Sequence, residues 1–402
     1  SRFLKDFRTK KQVVFDTTLI KGREYTMKLL HVIANNFKNF NDSFEIDFVS
    51  KSKKTAEDKE YELQEIADDL HVYNTMAFIG KNASGKTTAV ELLDACYSIL
   101  GDFRLDGKPY SYENVELCID FYHDGFIYRY ETILKNADSI ASKAIFMKQR
   151  LRKKKYYKSK VKALYHDEDF VDVEITGELP EDTSILFFVL KKKETRAVYF
   201  DSFGNGADTY RLIFATLKDY HIRPALLVKV ISIFDENIHD LQMLDDHNFK
   251  LSFCNETRTV SDKELIYMLS SGTTKGMLLY ILMAASLQQG FDLIIDEIEN
   301  HFHKTLVENM ISLYKDKTVN RNNATLIFTT HYCELLDLFN RQDNIYIAKS
   351  NDKVYLTNMY DGFNIRSELL KSRQFYNNVF RTAVNYDELM QLKKELKVWK
   401  NS

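Results

Sequence analysis

The sequence predicts an α/β fold, and three observations predict it. The stretch "AFIGKNASGKTTAVELL" (77–93) sets a G-x-x-x-x-G-K-[ST] loop between an apolar strand and a helical run. Two later apolar runs, in "DLIIDEIEN" (292–300) and "ATLIFTTHYCELLD" (324–337), each lead into a helix, as buried parallel strands do. Two segments with period-two alternation, 27–48 and 115–135, read as antiparallel hairpins.

The bulk numbers narrow the classes. At 402 residues the chain exceeds one average domain, and 45% hydrophobic residues are ample for a core. The 56 Lys and Arg against 58 Asp and Glu leave a net charge of −2, so any site for nucleic acid is a local patch. Cys96, Cys118, Cys254 and Cys333 lie far apart with no C-x-x-C pair. That spacing argues against a zinc site or a disulfide framework and for a cytoplasmic location. No apolar run reaches the roughly 18 residues of a membrane span, so no membrane partner is expected. The chain opens at Ser1 with no secretory signal pattern, and Met27 is a candidate internal start.

Taken in order, residues 1–26 read as an N-terminal extension, with a basic Lys5–Lys11 stretch and the apolar Val13-Val14-Phe15. Residues 27–135 hold the first part of the core. "MKLLHVIANNFKNFNDSFEIDF" is a hairpin around an Asn/Asp turn, followed by a polar loop over 50–69. Met76-Ala77-Phe78-Ile79 is the strand before the loop, and Thr88 to Leu100 the helix after it. "VELCIDFYHDGFIYRYETILK" is a second hairpin joined at His123-Asp124-Gly125. Residues 136–275 read as an inserted lobe that ends in "LSSGTTKG" (269–276). Residues 276–365 hold the second part of the core, and 366–402 form a helical tail rich in Lys and Glu.

The motifs specify chemistry. In Gly80-Lys81-Asn82-Ala83-Ser84-Gly85-Lys86-Thr87 the glycines let the backbone wrap closely, so successive N–H groups face phosphate oxygens, with Thr88 next in line. Lys86 reaches the β- and γ-phosphates, and the Thr87 hydroxyl is offered to Mg²⁺. A hydrophobic strand delivers Asp296 to its end, where it holds the hydrated Mg²⁺. Glu297 stands next to it, placed to orient and deprotonate the attacking water. Glu299 either assists or is solvated. His331 ends another buried strand beside Thr329 and Thr330, where an imidazole can hydrogen-bond a γ-phosphate and report its presence. Ser270, Ser271, Gly272 and Thr273 alone read as a helix N-cap cluster. Their place between the loop and the Asp-Glu strand points instead to a second phosphate-recognising helix start, one that closes over the nucleotide of another copy.

This order of motifs resembles the ABC-type ATPase head, and more narrowly the SMC-like, overcoming-lysogenisation-defect and abortive-infection ATPases of bacteria. "GKNASGKTT", "LSSGTTKG", "IIDEIENHFH" and "IFTTHYCELLD" carry the likeness, with "LLHVIANNFKNF" and "RQDNIYIAKS" as its first and closing strands. The resemblance implies a RecA-like core with the phosphate loop, an antiparallel β subdomain and an inserted helical signature lobe. It implies ATP and Mg²⁺ as cofactors and a head-to-tail pair in which Ser270 and Gly272 of one copy complete the other copy's site. It also places Lys38 near the nucleotide, where a plain turn lysine is the other reading. No Q-loop glutamine stands out, since Gln149 lies inside a basic run, and Lys304 follows His303 where proline is common in the group.

No second catalytic motif is visible, so an effector is expected in a partner chain, and the resemblance implies an ATP-driven sensor and scaffold of an anti-phage system that controls a partner toxin or nuclease. The alternative is an SMC-like DNA-repair or DNA-end-binding ATPase. The run "KQRLRKKKYYKSKVK" (Lys148 to Lys162) bears on that choice, for nine of its fifteen residues are Lys or Arg, interrupted by Tyr156 and Tyr157. It reads as a nucleic-acid contact with stacking available, as a solvated hairpin, or as a patch for an acidic protein.

Overall fold

The computed structural model describes residues 27–398 apart from 108–109, 138–139, 191–195, 202–208, 246, 269–270, 301–302, 367–368 and 381–385. The expected extension over 1–26 therefore lies outside the described residues.

Strands β1 (Lys28–Asn35) and β2 (Phe44–Asp47) form the first hairpin. The stretch expected as a polar loop holds instead a short helix, α1 (Ala56–Tyr61), and the start of a second hairpin, β3 (Leu63–Ala67) with β4 (Leu70–Tyr73). A capping box starts α1: Thr55 Oγ1 accepts the Asp58 N–H at 3.0 Å, and Asp58 accepts the Thr55 N–H at 2.9 Å. Strand β5 (Thr75–Ile79) passes through the glycine-rich loop into α2 (Lys86–Gly101). Strands β6 (Val115–His123) and β7 (Phe126–Ala137) are joined by Asp124 and Gly125, both at positive φ, the geometry that matches the twist of paired strands. The long β8 (Ile140–Lys155) and short β9 (Val171–Asp172) extend that sheet, giving the antiparallel order β2-β1-β6-β7-β8-β9.

Strand β10 (Ala197–Phe200) opens a different sheet. Helices α3 (Thr209–Asp219) and α4 (Pro224–Phe234), a small sheet of β11 (Ile238–Met243), β12 (Asn248–Phe253) and β13 (Glu256–Ser261), and α5 (Asp262–Met268) precede α6 (Ser271–Gln289). Then come β14 (Asp292–Ile295), α7 (Lys304–Lys315), β15 (Leu326–Thr330), β16 (Ile345–Ser350) and β17 (Val354–Asn358). Helices α8 (Met359–Gly362), α9 (Lys371–Tyr376) and α10 (Tyr386–Val398) close the described chain. The second sheet has the order β10-β14-β15-β5-β16-β17, parallel except for β17. Residues 140–155 alternate across the antiparallel sheet, and 197–200 pair in parallel with β14.

Helix α2 lies between the two sheets, and its apolar residues explain why. Ala89, Leu92, Leu93, Cys96, Ile99 and Leu100 are all buried in one cluster with Leu117, Ile119 and Phe121 of β6 and with Phe78, Ile294 and Ile327 of the parallel sheet. The alternate residues Ile79, Leu293, Ile295, Leu326 and Phe328 face a second cluster with α6 and α7. Strands buried on both faces must read as continuous apolar runs, which is how β5, β14 and β15 stood out. Among the described residues no helix is long and apolar enough to cross a membrane.

The outer face of the antiparallel sheet carries a buried ion network. Arg129 grips Asp120 with two hydrogen bonds, of 2.7 and 2.9 Å. His31 Nδ1 lies 3.3 Å from the same carboxylate, and Glu45 is 3.9 Å from the other ring nitrogen. Burial disfavours the charged imidazole, but the Asp120 and Glu45 carboxylates, with Asp47 beside them, outweigh it and raise the His31 pKa from 6.5 to about 9. The folded chain therefore keeps this proton longer than the unfolded one. Its contribution is complete below pH 6.5 and is lost as pH rises through 9. At full strength it is on the order of 3 kcal/mol. The urea midpoint of wild type is expected to fall between these pH values more than that of His31→Gln, and parallel curves would rule the assignment out.

Candidate functional site

The parallel order brings three strand ends together. Strand β15 lies between β5 and β14, so the loop after β5, the Asp-Glu pair after β14 and the histidine after β15 meet at one sheet edge. The loop has the shape an anion requires. Gly85 has φ +94°, and a Cβ there would overlap the Val354 side chain; a Cβ on Gly80 would come within 2.5 Å of the Ala348 carbonyl oxygen. Helix α2 starts with no side-chain cap and no acidic residue in its first turn, so its leading N–H groups are left for another acceptor. Ser84 Oγ, inside the loop, is buried without a hydrogen-bond partner. Lys81, Asn82 and Ala83 are exposed at the loop's crest, and Thr88 is half-buried behind Thr87.

Lys86 is almost wholly buried, and its ammonium donates to the Gly80 and Lys81 carbonyls at 3.0 and 3.1 Å. Burial lowers its pKa, against the opposing pull of Glu297, Glu299 and Asp296. His331 Nδ1 is 3.2 Å from this ammonium, and Nε2 is 3.3 Å from Glu297 Oε1. Lysine brings only donors and a carboxylate only acceptors. Nδ1 also lies 3.1 Å from the Gly80 carbonyl oxygen, so the ring stands among the Lys86 ammonium, that carbonyl and the Glu297 carboxylate. Asn300 Nδ2 holds the other Glu297 oxygen at 2.6 Å.

The Thr87 hydroxyl donates to Asp296 Oδ2 at 2.8 Å. This hydroxyl and carboxylate form the all-oxygen set that suits a hard divalent cation, so the residues fit Mg²⁺. Glu297 has φ +48°, a left-handed conformation that costs roughly 1–2 kcal/mol in a residue with a Cβ. Glu299, whose role the sequence left open, accepts the His331 backbone N–H, while its Oε2 is buried without a partner. Sequence reasoning missed two participants, Asn300 and Thr329. Thr329 Oγ1 touches both Asp296 and Glu297, and its only signal was the Thr329-Thr330 pair that ends an apolar strand.

Lys38 pairs with Glu91, one turn beyond Thr87 on α2, and its ammonium lies 4.6 Å from the centre of the Tyr110 ring. Leu269 and Ser270 lie outside the described residues, as does the Ser271 side chain. Gly272 is exposed and Thr273 half-buried at the start of α6. Gln149 is committed elsewhere: its Oε1 accepts the Tyr130 hydroxyl at 2.6 Å and the Ile185 N–H at 2.9 Å.

Strand alternation divides the basic run. Directly paired residues share a face, so Lys148, Arg150, Arg152 and Lys154 stand on the face of Arg129 and Glu131, while Lys153 and Lys155 stand on the other. Arg150 pairs with Asp172, Arg152 with Glu131 and Asp167, Lys158 with Asp68 and Lys160 with Asp169. Lys154 donates to the Ala163 and His166 carbonyls.

Residues 76–337 match the protein family described as "AAA domain, putative AbiEii toxin, Type IV TA system". Among solved structures, the SMC head domain from Thermotoga maritima is similar at 13% identity and a TM-score of 0.37, over 82% of this chain and 98% of that one. An SMC head bound to the C-terminal winged-helix domain of ScpA is similar at 11% identity and a TM-score of 0.44, over 83% and 99%. At that distance neither likeness bears on mechanism. No curated protein sequence matches the chain.

Proposed function

Because the chain belongs to this AAA-domain family, we propose that it binds Mg²⁺ and ATP at the start of α2 and hydrolyses the ATP to ADP and phosphate. The observation that carries this reading is the meeting of Lys86, the Thr87–Asp296 pair, Glu297 and His331 at one sheet edge. Lys86 already stands at the loop carbonyls, so a small turn of its ammonium meets the β- and γ-phosphates. Thr87 and Asp296 would hold the cation, which when bound neutralises charge on the phosphate oxygens. Glu297 takes the proton of the attacking water, and His331, whose Nε2 lies 3.3 Å from Glu297, would donate a ring N–H to the γ-phosphate.

The proposed assembly is a head-to-tail pair that sandwiches two ATPs, with Ser270, Ser271, Gly272 and Thr273 of each copy closing the other's site. Ser270→Arg is expected to leave ATP affinity within about threefold of wild type while abolishing pairing, a separation that follows if the signature touches only the other copy's nucleotide. Sedimentation with and without Mg-ATP checks it; a variant that still pairs and hydrolyses would end the signature reading. The pair is proposed to act as sensor and scaffold for a toxin or nuclease in anti-phage defence. Co-expression with the neighbouring genes tests this: the reading requires a stoichiometric effector whose retention depends on nucleotide. The nucleic-acid alternative draws little support from the basic run, whose strand residues are split between two faces and four of whose nine cations are ion-paired. DNA-stimulated turnover would revive it.

A further inference from the structure

We propose that Thr329 is a positioning residue that sets the cation-side carboxylate and the general base as one unit; the inference rests on the ATPase reading above. Thr329 is the penultimate residue of β15 and is wholly buried. Its single hydroxyl proton goes to Asp296 Oδ1 at 2.6 Å, and the same oxygen accepts the Glu297 N–H at 2.7 Å. One atom therefore fixes both acidic residues.

The consequence for Asp296 is orientation. Thr329 holds one carboxylate oxygen and the Thr87 hydroxyl meets the other at 2.8 Å, so the group is clamped with Oδ2 facing α2. For Glu297 the consequence is backbone shape. The Asp296 N–H still bonds Phe200 of β10 at 3.0 Å, as a strand residue should. One residue later the chain leaves the ladder in a left-handed conformation, and the N–H that this turn frees needs a buried acceptor. Thr329 supplies it. The turn carries the Glu297 carboxylate to His331 and Asn300 rather than onward along the strand. Thr330, equally buried next door, spends its hydroxyl on the Tyr332 N–H at 3.0 Å and touches neither acid.

Thr329→Val keeps the shape and removes the hydroxyl, and with it the hydrogen bonds to Asp296 Oδ1 and from the Glu297 N–H. Outer groups that orient a metal-binding residue typically change activity or metal affinity by 10–100-fold, so kcat is expected to fall by about that factor with KM for ATP within about threefold. Calorimetry supplies a readout apart from turnover: the gain in ATP affinity on replacing EDTA by Mg²⁺ should shrink by about tenfold in the variant. Thr329→Ser, which keeps the oxygen, should recover both quantities to within about threefold of wild type. Should the valine variant not fold, Thr329→Cys, with a weak thiol donor, carries the same expectations. Wild-type kcat and Mg²⁺ dependence in a folded valine variant would overturn this proposal alone, as would a serine variant no better than valine. A wild-type chain that does not bind Mg-ATP would overturn the ATPase reading and this proposal together.

Discussion

Glu297→Gln is expected to bind Mg-ATP with near wild-type affinity and to hydrolyse it at least 100-fold more slowly. Gln keeps the length of the side chain and an oxygen for the Asn300 amide, which holds Glu297 Oε2 at 2.6 Å in the wild type. It cannot accept a proton, and general bases typically contribute 10²–10⁴-fold. The backbone geometry should persist, because the Thr329 hydroxyl bonds the Glu297 N–H and not its side chain. The same change should hold the ATP-bound pair closed, since hydrolysis is what releases it. Single-turnover phosphate release checks the first expectation; a rate equal to wild type would remove Glu297 from the base role and leave His331 as the remaining candidate.

Lys86→Ala is expected to lose Mg-ATP binding by 100-fold or more. A charge-assisted hydrogen bond contributes about 1.5–3 kcal/mol, and the ammonium is placed to make two of them to the phosphates. The loss should not be one of folding. Burial penalises the charged Lys86 in the folded chain, as its lowered pKa shows, and alanine removes that penalty. A thermal midpoint equal to or above wild type, together with no calorimetric ATP signal, is the expected pair of results. An unchanged Kd would mean that the loop and helix dipole alone hold the nucleotide, and the Lys86 role would be withdrawn.

The parts of the fold that were legible are those where one local rule acts alone. Continuous apolar runs marked β5, β14 and β15 because both faces of the parallel sheet are buried. Asp124-Gly125 marked the β6–β7 turn because both residues take positive φ there. The phosphate loop, the Asp-Glu pair and His331 were legible as a set because each follows such a strand. Strand β8 was hidden because its alternate positions are Arg and Lys, which read as a solvated run. Among them Arg152 is buried and Lys154 half-buried, and both stand with Arg129 of β7 over the Phe170 ring, at 5.6, 4.3 and 4.8 Å. Helix α1 was hidden by its polar composition, although its Thr55–Asp58 box was present in the sequence. Thr329 was hidden because only the parallel pairing of β14 with β15 reveals that its hydroxyl faces both acids.

The resemblance to bacterial abortive-infection ATPases agrees with the family that the chain matches over 76–337. In the proposed assembly the site works in pairs, with the signature of one copy closing the nucleotide site of another. Light scattering of wild type and Glu297→Gln, each with and without Mg-ATP, tests it most directly. Glu297→Gln with Mg-ATP should shift to a pair or larger even-numbered assembly, wild type should shift only transiently, and both should return to smaller species without nucleotide. A monomer under all four conditions, from protein that binds Mg-ATP, would contradict it.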